Sequence, residues 1–377
     1  DPFHDHRNGV VFATNPNGAE FEALITDEGS SVNIDWRGVW EVAGTRTPDG
    51  WSAEFAIPWR TLRYPDASGE EPWGINFFRG IRSKNEQVYW RSWEREGGGL
   101  QRVSRAGHLS GLSDLPRQGL NVEAKPYGLL GRVQEQNSSD VLNSSVDRAV
   151  GVDLKSEIAP GLLLDLTFNT DFAQVEVDDA QVNLTRFNLF FPEKRDFFLE
   201  NSGIFAFGNS GNPMEPPAYQ MFFSRQIGIA ESGSVPIVGG ARLTGRVGSQ
   251  TLGLMSVMTD AVPESSEFQS VDRELFSVAR IKRDVGESNY IGAMVVDRRG
   301  NEATNTVAGI DGQFVVGQAW VWDASVTRSF TEGAGGDGIA YHVGYRYGGD
   351  RWGSFLNHYA VGAESEASAG FITRKDY

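Results

Sequence analysis

Short segments of alternating polarity recur through the C-terminal two thirds of the chain. Ile339, Tyr341 and Val343 alternate with His342 and Gly344, and a period of two predicts a β-strand with one apolar face. Comparable segments are joined at residues 248–250 and 285–288 by tight-turn sequences. On the other side they are joined by longer polar stretches, predicted as loops at 134–147, 260–273, 300–305 and 331–338. This pattern predicts a series of antiparallel hairpins.

Strands of this length, with short turns at one end and long loops at the other, are typical of a transmembrane β-barrel. The sequence shows about nine or ten such strands. No apolar run reaches the roughly 18 residues of a membrane-spanning helix. A soluble β-sandwich or β-helix with one solvent-exposed face is the alternative interpretation. Aromatic residues near predicted strand ends suit an interfacial girdle: Trp320, Trp322, Tyr345, Tyr347, Trp352 and Tyr359.

The N-terminal part has a different composition. Seven of the ten tryptophans lie in residues 1–93, among short predicted strands with irregular loops. Residues 47–50 have a turn sequence between the predicted strands 38–46 and 51–57, as in a hairpin. A stretch rich in turn-forming residues at 110–119 predicts a linker. The sequence therefore predicts a partial β-sandwich at 1–115 and barrel hairpins at 116–377, in an all-β chain truncated at both ends.

Composition excludes several classes of function. The chain has no cysteine, which rules out disulfides and thiolate metal sites. The formal net charge is −16, from 34 basic and 50 acidic residues. Nucleic-acid binding requires concentrated lysine and arginine, so no nucleic-acid partner is expected.

Residues 169–236 interrupt the hairpin pattern. This segment carries acidic residues, paired phenylalanines and the charge cluster Glu193, Lys194, Arg195 and Asp196. A lysine or arginine on the lipid face at mid-membrane costs about 2–4 kcal/mol. The segment is therefore predicted to avoid lipid, as a plug or rim element held by ion pairs, with a ligand-handling role as the alternative.

The same segment carries a resemblance. Residues 168–178 (FNTDFAQVEVD), 181–184 (QVNL) and 190–201 (FFPEKRDFFLEN) resemble a motif of bacterial outer-membrane proteins that carry a family 9-type carbohydrate-binding module before a β-barrel domain of unknown function. Residues 222–228 and 239–245 are similar to that family's barrel, and 3–7 and 50–59 to the back half of its module. The resemblance implies an outer-membrane location, lipid contact and a glycan ligand. The front part of the module is expected to be missing. No catalytic residues are carried over.

Tryptophan rings stack on the apolar faces of sugars while nearby polar groups bind hydroxyls. The predicted carbohydrate-binding residues are Trp36, Trp40, Trp90, Trp93, Arg79 and Arg82. For each tryptophan a core position is the alternative, and Trp51 and Trp59 fit the core best.

No cofactor is expected, although structural calcium is left open. His4 and His6 would need a third ligand to hold zinc, and Asp5, Asn8 and Asp27 offer oxygen ligands suited to calcium. No nucleophile elbow, phosphate-binding loop or evident catalytic carboxylate pair is present, so no catalytic residue is predicted. The favoured function is a membrane barrel whose module binds or passes glycans. An envelope-bound glycosyl hydrolase, and a structural envelope protein whose module binds another protein, are the alternatives.

Overall fold

The computed structural model describes residues 1–375, with gaps at the following positions: 30, 35, 63, 65–71, 93–98, 113–114, 116–121, 137–141, 160, 171–190, 192, 209–217, 231–232, 265–269, 287–288, 302–303, 318, 333–336 and 350. The predicted linker at 110–119 lies mostly outside these residues. Within the described residues, no helix is both long and apolar enough to cross a membrane.

The described residues of the N-terminal part form nine short strands in several small sheets. The strands are β1 (Gly9–Thr14), β2 (Glu20–Thr26), β3 (Ser31–Asn33), β4 (Glu41–Thr47), β5 (Gly50–Ala56), β6 (Trp73–Ile75), β7 (Phe78–Ile81), β8 (Glu86–Tyr89) and β9 (Gly107–Leu109). Strands β1, β2 and β3 form one sheet, and β4–β5, β6–β9 and β7–β8 pair separately. Four 3-10 turns connect them, at Asp27–Gly29, Trp59–Thr61, Arg82–Lys84 and Val103–Arg105.

The rest of the chain forms one large sheet and an internal insertion. The sheet begins with β10 (Val122–Gln136), β11 (Leu142–Ala159) and β12 (Leu162–Phe168). The insertion contains helix α1 (Asp196–Leu199), 3-10 turns at Ser202–Phe205 and Ser224–Gln226, and strands β13 (Tyr219–Gln220), β14 (Ile229–Ala230) and β15 (Gly233–Ser234). The sheet continues with β16 (Ile237–Val247), β17 (Gln250–Thr259), β18 (Leu275–Val285), β19 (Asn289–Arg299), β20 (Thr304–Val316), β21 (Trp320–Glu332), β22 (Gly338–Gly348) and β23 (Gly353–Val361). Strand β24 (Phe371–Ile372) follows and pairs with β13.

The large sheet has eleven strands in sequence order, all antiparallel, from β10 to β23. The connections after β11, β16, β18, β20 and β22 are two to four residues long and lie at one end, the short-turn rim. The insertion and the connection from β17 to β18 lie at the opposite end. The all-β prediction with antiparallel hairpins is confirmed.

The two faces of the sheet are opposite in polarity to those of a soluble sheet. In β18, Arg280 and Lys282 are buried at 2% and 4% exposure, whereas Ile281 between them is 44% exposed. In β22, His342 is buried between the exposed Tyr341 and Val343. The protected face thus carries charged side chains beside buried apolar ones such as Phe276 and Val278, whereas large apolar side chains are exposed on the outward face.

Three details of the prediction were wrong. The visible strand number was underestimated, because the sheet has eleven strands. The predicted loop at 134–147 is largely strand, because β10 and β11 continue pairing through polar residues to Gln136 and Leu142. Backbone hydrogen bonds between strands form through polar residues as well as apolar ones, so polarity alone misplaced this boundary.

Tyr359 does not belong to the predicted aromatic girdle. It stacks on His342 across the β22–β23 pair, with ring centroids 4.2 Å apart, and therefore faces the protected side. The other girdle residues cluster at the short-turn rim: Trp320 lies 4.7 Å from Tyr347, and Tyr347 lies 4.6 Å from Trp352.

Candidate functional site

A fully buried ion pair joins two strands on the protected face of the sheet. Arg280 on β18 makes a two-point contact with Asp311 on β20, at 2.5 and 2.7 Å, and both side chains have 0% exposure. Gly292 on β19 lies between them, and a Cβ there would come within 2.6 Å of both groups. Two-point arginine–carboxylate geometry is the strong form of this interaction. The missing side chain at Gly292 makes the pair possible.

The insertion supplies further partners to this pair. The backbone N–H of Gly208 donates to Asp311 at 2.9 Å, and the Arg280 guanidinium lies 5.2 Å from the centre of the Phe207 ring. Hydrogen bonds from neighbouring groups offset part of the cost of burying a charge. The ion pair therefore connects the sheet to the insertion as well as strand to strand.

A second buried arginine binds the C-terminal end of α1. Arg242 on β16 pairs with Asp165 on β12 at 2.8 Å and donates to the backbone carbonyls of Phe197 and Glu200. Lys155 on β11 pairs with the Glu200 carboxylate. Terminal helix carbonyls lack partners within the helix, and basic side chains satisfy them. Three neighbouring strands thus bind one short helix.

Glu193 and Arg195 of the predicted charge cluster are folded into the protein interior. Arg195 is 4% exposed and pairs with Glu193 at 2.7 Å. It also donates to the carbonyls of Ile227 and Ser224, at 2.5 and 2.7 Å. Burial alone would raise the pKa of Glu193, but the hydrogen bonds and charge of Arg195 outweigh burial and lower that pKa. The ionised pair of Glu193 and Arg195 therefore links the first described residues of the insertion to the later turn at Ser224–Gln226.

Apolar packing fills the space between the insertion and the sheet. Phe198, Phe205 and Met221 of the insertion share one buried cluster with Met255 and Phe276 of the sheet. Glycines in the wall admit the insertion: a Cβ on Gly253 would lie 2.9 Å from the Phe205 ring, and one on Gly309 would lie 2.7 Å from the Phe207 ring. We call the described part of residues 191–230 the interior segment.

The N-terminal part contains an open groove of about 610 Å³. Its aromatic lining includes Trp51, Phe55, Phe77 and Phe78. The guanidinium of Arg79 lies 4.5 Å from the centre of the Trp51 ring and donates to the Trp51 carbonyl at 3.1 Å. Phe77 is 60% exposed and Phe55 is 45% exposed. We call these five residues the aromatic groove.

The predicted carbohydrate-binding residues are not gathered in one place. Arg79 lines the aromatic groove. Trp90 is 60% exposed and packs edge-on against Phe77, with ring centroids 5.9 Å apart. Arg82 is exposed in its 3-10 turn, Trp36 lines a different cavity, and Trp93 lies outside the described residues.

Trp40 is a core residue, which corrects its predicted binding role. It is 5% exposed, donates through Nε1 to Glu22 at 3.2 Å, and stacks on Phe55. It has no free ring face for a sugar. Conversely, the sequence pattern predicts a core position for Trp51, but in the structure Trp51 lines the aromatic groove. A strand pattern shows which residues share a face, but it does not show whether another layer covers that face.

The Asp5 carboxylate, one of the oxygen groups considered for calcium, is already hydrogen-bonded. The Asp5 carboxylate accepts from the backbone N–H groups of Arg7 and Asn8, both at 2.8 Å, and from the Asn8 side chain at 2.6 Å. The Asp27 side chain lies outside the described part of the structure. No cluster of three potential metal ligands occurs among the residues that the structure describes.

Comparison with known proteins gives a partial family match. Residues 125–240, from β10 to the start of β16, match a sequence family described as a domain of unknown function, DUF5916. No curated protein matches. A solved structure similar to this chain is a loop L8 deletion mutant of OmpT, an outer membrane protein of Vibrio cholerae. The identity is 8% and the TM-score is 0.29, over 64% of this chain and 93% of that one.

Proposed function

We propose that this chain is a bacterial outer-membrane β-barrel protein whose N-terminal part binds glycans or related polymers. The observation that carries the membrane assignment is the reversed polarity of the eleven-stranded sheet. Its outward face presents Ile281, Ile291, Ile310 and Val343, all more than 40% exposed. Its protected face holds Arg242 and Arg280, each at most 2% exposed.

Lipid is the solvent that suits such a sheet. Burial of apolar area is worth about 25 cal/mol per Å², so a water-exposed sheet would forfeit that free energy along its whole outer face. A bilayer covers the apolar band, and the barrel interior keeps the charges away from lipid. The aromatic cluster of Trp320, Tyr347 and Trp352 supports an interfacial position for the short-turn rim.

The aromatic groove is the best candidate for the ligand. Aromatic faces with a few polar groups are the usual composition of a sugar site. Trp51, Phe77 and Phe78 supply rings, and Asn76 and Arg79 supply polar groups along the same groove. Because the interior segment packs tightly against the sheet, binding is favoured over passage through the lumen.

The groove does not favour the hydrolase alternative. A glycosidase requires two carboxyl groups at a fixed separation. Asp1 is the only acidic side chain among the described groove-lining residues. Its carboxylate accepts from the backbone of Asp5 and His6.

A glycan array tests the ligand assignment. The full chain in detergent should bind at least one glycan class, and Phe77→Ala and Arg79→Ala should each weaken binding by about tenfold, the loss expected for one good ring or charged contact. Trp352→Ala, which removes an equally exposed ring at the rim, is the control and should bind normally. Binding to no glycan, or equal loss with the control, would refute the glycan assignment.

Membrane fractionation tests the other half of the proposal. The protein should sediment with outer membranes and resist extraction by high salt and alkaline buffer. Recovery in the aqueous fraction would refute the barrel, whatever the array shows.

A further inference from the structure

The N-terminal part docks on the short-turn rim through a deeply buried arginine. Arg7 is 2% exposed and donates to the Asp284 carboxylate at 3.1 Å and to the Asn289 carbonyl at 2.7 Å. Its guanidinium lies 5.2 Å from the centre of the Tyr290 ring. Asp284 and Asn289 flank the connection from β18 to β19. Arg7 therefore binds the inner side of the rim rather than its outer surface.

A second arginine bridges the two parts from the sheet side. Arg246, near the end of β16, pairs with Asp284 at 2.6 Å and with Asp5 at 3.3 Å. The Asp5 side chain is 2% exposed and is fixed by its hydrogen bonds to the backbone of Arg7 and Asn8. These contacts form a continuous chain of alternating charges, in the order Asp5, Arg246, Asp284 and Arg7. We call these four residues the clasp.

The N-terminal part also contacts the interior segment. Asn33 on β3 donates to the Leu199 carbonyl at 2.7 Å. A Cβ placed on Gly203 would lie 3.3 Å from the Cβ of Thr26 on β2. These contacts reach past the rim to the material inside the sheet.

A cavity of about 160 Å³ lies where the three parts meet. Its walls include Trp36 and Ile25 from the N-terminal part, Ile204 from the interior segment, and Lys282 and Arg246 from the sheet. The cavity therefore lies between the N-terminal part and the short-turn rim of the sheet.

We infer that the N-terminal part is a lid over the lumen at the short-turn rim, held closed by the clasp. This inference rests on the proposed barrel for its orientation. Short turns face the periplasm in outer-membrane barrels, so the lid and its aromatic groove lie on the periplasmic side. A polymer bound in the groove is then held at the closed periplasmic mouth.

An engineered disulfide tests whether the lid is closed in the intact protein. The chain has no cysteine, so a Thr26→Cys/Gly203→Cys variant contains one possible bond. The Cβ separation of 3.3 Å is a few tenths of an ångström below the disulfide range of about 3.5–4.5 Å, so a small shift of either segment allows the bond. Oxidation of the full chain in isolated membranes should link most molecules and change their mobility on a non-reducing gel.

The control pair is Thr26→Cys/Ser249→Cys, in which the second cysteine lies exposed in the connection between β16 and β17. It should remain unlinked. Equal linking in both pairs, or no linking in a Thr26→Cys/Gly203→Cys protein that retains the heat-dependent gel shift of a folded barrel, would overturn the lid.

The clasp is tested in the same background. Adding Arg246→Ala should lower the cross-linking rate about tenfold, because it removes a partly buried charge shared by two carboxylates. Adding Arg273→Ala should leave the rate unchanged. Arg273 makes a comparable 2.7 Å pair with Asp260, but both side chains are about half exposed. An unchanged rate in Arg246→Ala would show that the clasp does not hold the lid.

Cysteine labelling tests which rim of the sheet faces the periplasm, independently of whether the lid is closed. Ser249→Cys at the short-turn rim should react with an impermeant maleimide only after the outer membrane is permeabilised. Ser270→Cys, which is exposed in the connection between β17 and β18, should react in intact cells. The reverse pattern with cross-linking retained would refute the periplasmic lid but leave the barrel. Loss of membrane association with cross-linking retained would refute the barrel and the periplasmic orientation, but not the closed contact between the N-terminal part and the interior segment.

Discussion

At the residue scale, the protein is organised by buried ion pairs whose partners come from different strands. Arg280 and Asp311 are separated by β19 and meet only because Gly292 leaves space. Such a pair is costly to break and contributes little net stability against an apolar replacement. In the structure it joins β18 to β20 across β19 and connects both to the interior segment through Gly208.

Substitution of this pair has a predicted asymmetry. Asp311→Ala should lower the free energy of unfolding in detergent by about 3–5 kcal/mol, because it leaves the Arg280 charge buried without its partner. Arg280→Met/Asp311→Leu should be much closer to wild type. Asp337→Ala removes an exposed pair with Arg328 and should change stability by less than about 1 kcal/mol. Equal destabilisation by all three changes would contradict this account.

The interior segment should loosen in acid. The pKa of Glu193 is lowered in the folded protein, so its ionised pair with Arg195 stabilises the fold above the unfolded pKa of about 4.5. That stabilisation is lost as the pH falls through the folded pKa. Proteolysis of the interior segment should therefore accelerate in acid, as the pH falls through the lowered pKa of Glu193.

Glu193→Gln should be cleaved faster at neutral pH and depend less on pH than the wild type. Glu332→Gln, at the exposed end of β21, is the control and should follow the wild-type profile. An unchanged pH dependence in Glu193→Gln would assign the acid response to other groups.

At the element scale, alternation within each strand decides which environment a residue meets. Ile310 and Val316 both lie on β20 and are both 59% exposed, but Val316 is the last residue of its strand. On the proposed lipid-facing sheet, Ile310→Arg should lower stability by about 2–4 kcal/mol and Val316→Arg by about 0–1 kcal/mol, because the penalty falls from mid-membrane to the interface. Unfolding titrations in lipid vesicles measure both. Equal penalties would place the lipid band elsewhere.

The elements were the most predictable part of the structure from sequence. The alternation of Ile339, Tyr341 and Val343 with His342 requires a strand with two unlike faces, and short connections require neighbouring strands to be antiparallel. The boundaries of β10 and β11 were less predictable, because polar residues pair as readily outside an apolar band as they form a loop.

At the scale of the whole molecule, contacts distant in sequence were not predictable. Arg7 meets Asp284 across most of the chain, and no local pattern at either residue indicates the other. The same limitation affected the candidate site: Trp40 and Trp51 both lie in strand-like sequence, yet one is buried and the other lines the aromatic groove. Whether a strand residue lies on the surface, in the core or in a groove depends on how separate sheets pack together. The residue pattern of a single strand does not show that packing.

The reversed polarity of the large sheet is the central claim, and fluorescence quenching along β18 tests it most directly. Single cysteines at Ala279 and Ile281, which face outward, and at Val278 and Lys282, which face inward, would each carry a fluorophore in reconstituted vesicles. A nitroxide attached to lipid chains should quench the label at Ala279 and Ile281 strongly and the label at Val278 and Lys282 weakly. Equal lipid quenching at all four positions, or quenching of the outward pair only by a water-soluble agent, would contradict a lipid-facing sheet with a charged interior.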